Sequence, residues 1–183
     1  MPLRITVPER EYYNERTGEF TYTKKQTLTL EHSLVSVSKW ESKWCKSFLT
    51  RNKNDKMTNE EFVDYIKCMT LTQNVDPGVY DALTNRNYTE ISEYINAPMT
   101  ATTFYGRDEK INRHVITSEE IYYWMISLGI PFECQKWHLN RLLTLIKICN
   151  IKNSSDKKMS KSEVMSRNAM LNAQRRAALK TKG

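Results

Sequence analysis

Glu133, Cys134 and His138 are the residues of this 183-residue chain whose types and spacing come nearest to metal chemistry. A thiolate and an imidazole four positions apart on a helix share one face and could offer zinc two ligands. A closed site needs four groups, and no second pair in the sequence has matching spacing. The pair therefore reads as a packed thiol beside a capped or half-exposed imidazole, and neither a metal nor a cofactor is expected. Catalytic constellations are not found either. There is no glycine loop to cradle phosphate, no G-x-S-x-G elbow and no H-E-x-x-H, and the three histidines, His32, His114 and His138, are widely separated. No cysteine shows the electropositive setting that activates a thiolate. No catalytic residue is assigned, and an enzyme is not expected.

Charge offers a different chemistry. The formal net charge of +7 resides in residues 152–183, where nine Lys or Arg face two acids, whereas residues 1–151 hold 19 of each sign. Lys157, Lys158, Lys161, Arg167, Arg175, Arg176, Lys180 and Lys182 could neutralise phosphates, giving non-specific, salt-dependent nucleic-acid contact. The same stretch has no Phe, Tyr or Trp, which removes the stacking platform of single-strand and many RNA binders. A second reading rests on Val164, Leu171 and Ala178, which recur every seven residues with Met165 and Ala169 beside them, as in a helix that docks into a partner's groove. A solvated C-terminus with ordinary solubility charge is the third. Protein docking is favoured over nucleic-acid reading.

Composition suits one globular domain over residues 1–151, followed by a basic linker and C-terminal helix over 152–183. A domain of that size buries about two-thirds of its unfolded surface and needs no disulfide. Cys45, Cys68, Cys134 and Cys149 lack close pairing and sit among helix-patterned residues, so they are expected as reduced core thiols in a cytosolic setting. Residues 1–10 have no apolar signal region, and no stretch approaches the roughly 18 apolar residues of a membrane span. A soluble protein without membrane contact is expected.

The fold class read from the pattern is mainly α with a small N-terminal antiparallel β meander (α+β): a compact helical body plus a separate basic C-terminal helix. Leu3, Ile5 and Val7, then Phe20 and Tyr22, then Leu28 and Leu30 alternate as half-buried strands do within the meander, 1–31, with a turn over 14–18. The helical body is predicted over 36–150. Trp40, Trp44 and Phe48 mark one helix face, and Thr58 with Glu61 forms a capping box before the stripe Phe62, Ile66, Met69. Short helical pieces follow at 76–83 and 89–96, then an irregular loop over 99–115. Thr117 with Glu120 repeats the capping box ahead of Ile121, Trp124, Met125 and Leu128, closed by Gly129 and Pro131. The strongest helix is predicted over 133–150, with Trp137, Leu142, Leu143, Ile146 and Cys149 on one face. Ser160 with Glu163 opens the last, over 161–180. Trp40, Trp44, Trp124 and Trp137 fall on apolar stripes and read as core. The doublets Tyr12–Tyr13 and Tyr122–Tyr123 could each turn one ring inward and the other to a partner.

Several segments carry a resemblance. QTLTLEHSLVSVSKWESKW at 26–44, APMTATTF at 97–104, ITSEEIYYWMISLGIPFECQKWHLNRLLTLIKICNIKN at 116–153 and the ending KKMSKSEVMSRNAMLNAQRRAALKTKG resemble a widespread family of long-tailed (siphovirus-type) bacteriophage tail morphogenesis proteins. The likeness covers nearly the whole chain, with loops near 51–57 and 105–113 freely variable. It implies a tail assembly chaperone or a minor virion protein, with other phage tail or virion proteins as partners, the tape-measure protein among them. The implied location is the host bacterial cytoplasm during assembly, or the virion. A chaperone of that kind must cover long amphipathic helices that would otherwise aggregate. The resemblance brings no catalytic residues.

Overall fold

The computed structural model describes residues 1–14, 18–50, 57–104, 115–155 and 161–179. The protein is mainly helical with an antiparallel β element at its N-terminus, the α+β class read from the sequence. It divides into two compact units, Met1–Ile146 and Lys147–Gly183.

In the first unit the strands pair as a nested hairpin. β1 (Leu3–Val7) runs antiparallel to β4 (Gln26–Leu30), and β2 (Arg10–Asn14) to β3 (Glu19–Thr23), in two two-stranded sheets. Pro8 explains the break between them, because it has no N–H to give a ladder. Alternation then decides burial. Ile5, Val7, Leu28 and Leu30 enter the core, with Ile5 directly opposite Leu28. Phe20 and Tyr22 also alternate, but their shared face is exposed rather than half-buried. The expected turn lies largely outside the described residues, although Gly18 is left-handed at φ +69.

α1 (Leu34–Trp44) starts at Leu34 because Ser33 and Ser36 cap each other reciprocally. It ends earlier than the aromatic spacing suggests. Glu41 reaches past the helix end and accepts the Phe48 N–H at 2.7 Å, while Cys45 turns left-handed at φ +51. Phe48 nevertheless joins the aromatic cluster from the loop, 5.6 Å from the Trp40 ring, with Trp44 stacked at 6.1 Å. α2 (Asn59–Met69) begins with the Thr58–Glu61 capping box that its spacing predicts. Its buried stripe is Tyr65, Ile66 and Met69, with Phe62 half-buried. Backbone bonds Glu31 N–H to Met69 carbonyl (2.9 Å) and Leu71 N–H to Thr29 carbonyl (2.8 Å) tie its end to β4.

Pro77–Val79 forms a 3-10 turn capped by the Asp76 carboxylate, and the buried Val79, Tyr80, Ala82 and Leu83 follow. α3 (Asn85–Asn96) starts four residues before the predicted Thr89, because Thr84 and Asn87 make a capping box with an amide in place of Glu or Gln. Residues 105–114 of the expected loop lie outside the described residues.

α4 (Ser118–Ser127) has Ile121 and Met125 in the core and is followed, after its C-cap Leu128, by Gly129 at φ +66. Its expected capping box is not formed: Thr117 makes no side-chain cap. Glu41 takes that place from α1, its second carboxylate oxygen accepting the Ser118 N–H at 2.7 Å. One buried carboxylate thus ends α1 and starts α4. Glu41→Gln keeps the shape but turns an NH2 toward one of two N–H donors, and should lower stability by about 1–3 kcal/mol. Glu119→Gln, at the exposed first turn of the same helix, should change little. Urea unfolding of both variants checks this; equal losses would refute the bridging role of Glu41.

The helix expected over 133–150 is interrupted. Residues Phe132–Lys136 form a 3-10 helix, Trp137 is extended, and α5 runs from Leu139 to Ser155. The cause is pairing with the start of α1: His138 bridges Ser33, and the Leu139 N–H donates to the His32 carbonyl at 2.9 Å. Leu139, Leu142 and Ile146 are its buried stripe. α5 also continues past Asn150, so 152–155 are helix rather than linker. In the second unit, α6 spans Lys161–Leu179.

Candidate functional site

The break before α5 removes the Cys134–His138 pair as one helical face. Cys134 lies in the 3-10 helix and His138 beyond it. Both nitrogens of His138 are engaged: Nε2 with the Tyr94 carbonyl at 2.9 Å, and Nδ1 accepting the Asn140 N–H at 3.3 Å. That fixes a neutral ring with its proton on Nε2 and leaves no lone pair for a metal. Among the described residues no group of three or more His, Cys, Asp or Glu could hold an ion. Burial, with Glu133 alongside, raises the Cys134 thiol, away from a reactive thiolate. The four cysteines are free, but only Cys134 is buried; Cys45, expected in the core, is exposed at the end of α1.

His138 belongs instead to a buried polar cluster that sequence separation hid. Its ring meets His32 edge to face, centroids 4.9 Å apart, and Tyr94 at 5.0 Å. His32 Nδ1 is hydrogen-bonded with the Tyr65 hydroxyl, which also lies 3.5 Å from Ser36 Oγ. Burial first, and then the neighbouring His138, push the His32 imidazole down to about 3. Burial also lowers His138, against the opposing bond to the Tyr94 carbonyl. His32, Ser33, Ser36, Tyr65, Tyr94 and His138 are all buried, so the cluster organises the body.

Surface chemistry lies elsewhere. Of the predicted partner-binding residues, Arg167, Leu171, Arg175 and Arg176 are exposed on α6. Lys161, Val164 and Ala178 stand on the same helix, their side chains outside the description, and Lys157, Lys158, Lys180 and Lys182 lie outside the described residues. Every described side chain of α6 is exposed, Met165, Met170 and Leu171 included. Helical geometry places Val164, Leu171 and Ala178 on one stripe, and sets Arg167 and Arg175 four residues either side of Leu171. An apolar line flanked by guanidinium groups can lie on an apolar surface while pairing with acids at its margins.

Exposed apolar residues of the body gather on β2–β3 and on α4. On β2–β3, Tyr13 and Phe20 are directly opposed with rings 5.0 Å apart, and Tyr22 donates to the Glu9 carboxylate at 2.9 Å. On α4 the two rings of the Tyr122–Tyr123 doublet take different exposures. Tyr122 is half-buried, donating to Gln135 Oε1 at 3.0 Å, and Tyr123 is 66% exposed. Ile126 and Phe132, which no sequence signal singled out, extend that face; both lie in the mostly apolar run 121–132, where periodicity marks no separate exposed side. Trp40 is fully buried, whereas Trp44, Trp124 and Trp137 are half-buried.

The fold and these surfaces define an α+β body joined in sequence to a basic, apolar-striped helix. Comparisons with protein-family models, with curated proteins and with solved structures find no match. Among the described residues no helix is long and apolar enough to cross a membrane.

Proposed function

We propose that the chain is a non-enzymatic bacteriophage morphogenesis protein, a tail assembly chaperone that holds helical tail protein of the tape-measure type through α6 in the host cytoplasm. The observation that carries this reading is α6 itself. It is a 19-residue helix whose described side chains are all exposed, with Leu171 between Arg167 and Arg175. A helix whose described side chains are all exposed gains stability by laying its apolar stripe against a partner. The resemblance of 26–44, 97–104 and 116–153 to tail morphogenesis proteins supports the choice of partner.

Co-expression with the tape-measure protein of the same phage should raise that protein's soluble yield. Removing residues 156–183, which leaves α5 whole, should abolish the gain. No gain with the intact chain would refute the chaperone reading. Stoichiometric recovery from purified virions would favour a structural tail or head-tail component instead. Tail-dependent DNA binding that weakens steeply with salt would favour the nucleic-acid reading.

A further inference from the structure

The body offers a face complementary to α6. On α4, Tyr123 and Ile126 stand three residues apart on one side and are 66% and 63% exposed. Tyr122, four residues before Ile126, carries the face across to Phe132, whose ring lies 6.5 Å away and which is 53% exposed. Exposed aromatic and aliphatic groups gathered on one side of a surface mark an interaction site more than scattered ones do. Its margin is acidic: residues 118–136 carry Glu119, Glu120 and Glu133 against the single cation Lys136. α6 is the reverse: its described charged side chains, Arg167, Arg175 and Arg176, are all cationic, and Arg167 and Arg175 stand four residues either side of Leu171.

We infer that the α4 face with Phe132 is a docking site for α6 of a second copy of this chain, so that the protein self-associates through a helix-on-helix contact. Leu171 and its stripe cover Ile126 and Tyr123, while the flanking arginines meet Glu119 and Glu133. The described side chains of α6 are exposed, and so are Tyr123, Ile126 and Phe132. The contact joins two different surfaces, so it is heterologous, and it closes either by reciprocal exchange of α6 within a pair or by extension to further copies. This rests on the reading of α6 as a docking element.

Light scattering coupled to size exclusion, on the full chain over a range of concentrations, tests it. The intact protein should show a mass above the monomer that falls on dilution and with added salt. Ile126→Glu places a like charge in an already exposed position of the acidic face, and Leu171→Glu reverses the apolar stripe. Each alone should weaken association at least about tenfold, with circular dichroism unchanged. An equimolar mixture of the two variants should regain a complex, because one intact α4 face and one intact α6 remain between them. A monomeric intact protein, association unaffected by Ile126→Glu, or a mixture that stays monomeric would each overturn the inference. The co-expression gain separates the two readings: if it survives in a chain that is monomeric, only self-docking fails, and if Leu171→Glu leaves both assays unchanged, α6 is not a docking element.

Discussion

Trp40→Ala is expected to cost about 3–5 kcal/mol, a large share of the roughly 5–15 kcal/mol by which a domain of this kind is stable. The Trp40 ring is fully buried, stacked on Trp44 and edge-on to Phe48, which in turn lies 4.1 Å from the Tyr65 ring. Alanine leaves a cavity among rings that are fixed by other bonds and cannot collapse into it. The indole Nε1–H also donates to the Glu61 carbonyl at 2.9 Å. Glu61 is the capping residue of α2, and its side chain is paired with Lys46 at 2.6 Å. The substitution therefore loosens the start of α2 as well as the core. Trp40→Phe keeps most of the ring and loses the bond, and should cost less than half as much. Urea unfolding followed by circular dichroism measures both. A loss under about 1 kcal/mol for the alanine variant would show that the aromatic cluster repacks freely, contrary to its geometry.

Local chemistry was legible in the sequence and remote chemistry was not. The Thr58–Glu61 capping box and the Asp76–Gly78 turn depend on residues two or three apart, and both stand where their spacing predicts. The Thr117–Glu120 box has the same spacing, yet Glu41 of α1 caps α4 instead. Nothing near Thr117 signals a carboxylate arriving from another helix. The helix from 133 to 150 has the apolar content of one continuous element. It breaks because His138 pairs with Ser33, a contact whose partner lies at the other side of the body's sequence. Surface faces divide in the same way. The α6 stripe is periodic and could be read directly, whereas Ile126 and Phe132 become a face only when the chain turns at Gly129 and brings the 3-10 helix beside Tyr122.

The body should lose stability as pH falls below about 6.5, before most carboxylates titrate, through the buried histidine pair. In the unfolded chain His32 protonates near 6.5, while in the fold it holds neutral down to about 3. Between those values the unfolded state binds the extra proton, so stability is complete above the upper value and falls by about 1.4 kcal/mol per pH unit for one such group. His138 is also lowered and acts in the same direction. Charging either ring would place a cation 4.9 Å from the other, among Tyr65 of α2 and Tyr94 of α3, whose hydroxyls are held protonated by burial. The N-terminal ammonium opposes protonation of His138 further. Among the described residues Glu31 works the other way: burial raises its carboxyl, so its share of stability grows as pH falls. A single half-buried carboxyl does not offset two imidazoles. Unfolding free energies from urea titrations at about pH 7.5 and about pH 5 should therefore differ by a few kcal/mol in the intact chain. His32→Gln, which cannot charge, should flatten the dependence while lowering stability at neutral pH. An intact chain equally stable at both values, or a His32→Gln chain with the full pH slope, would show that the pair does not control acid stability.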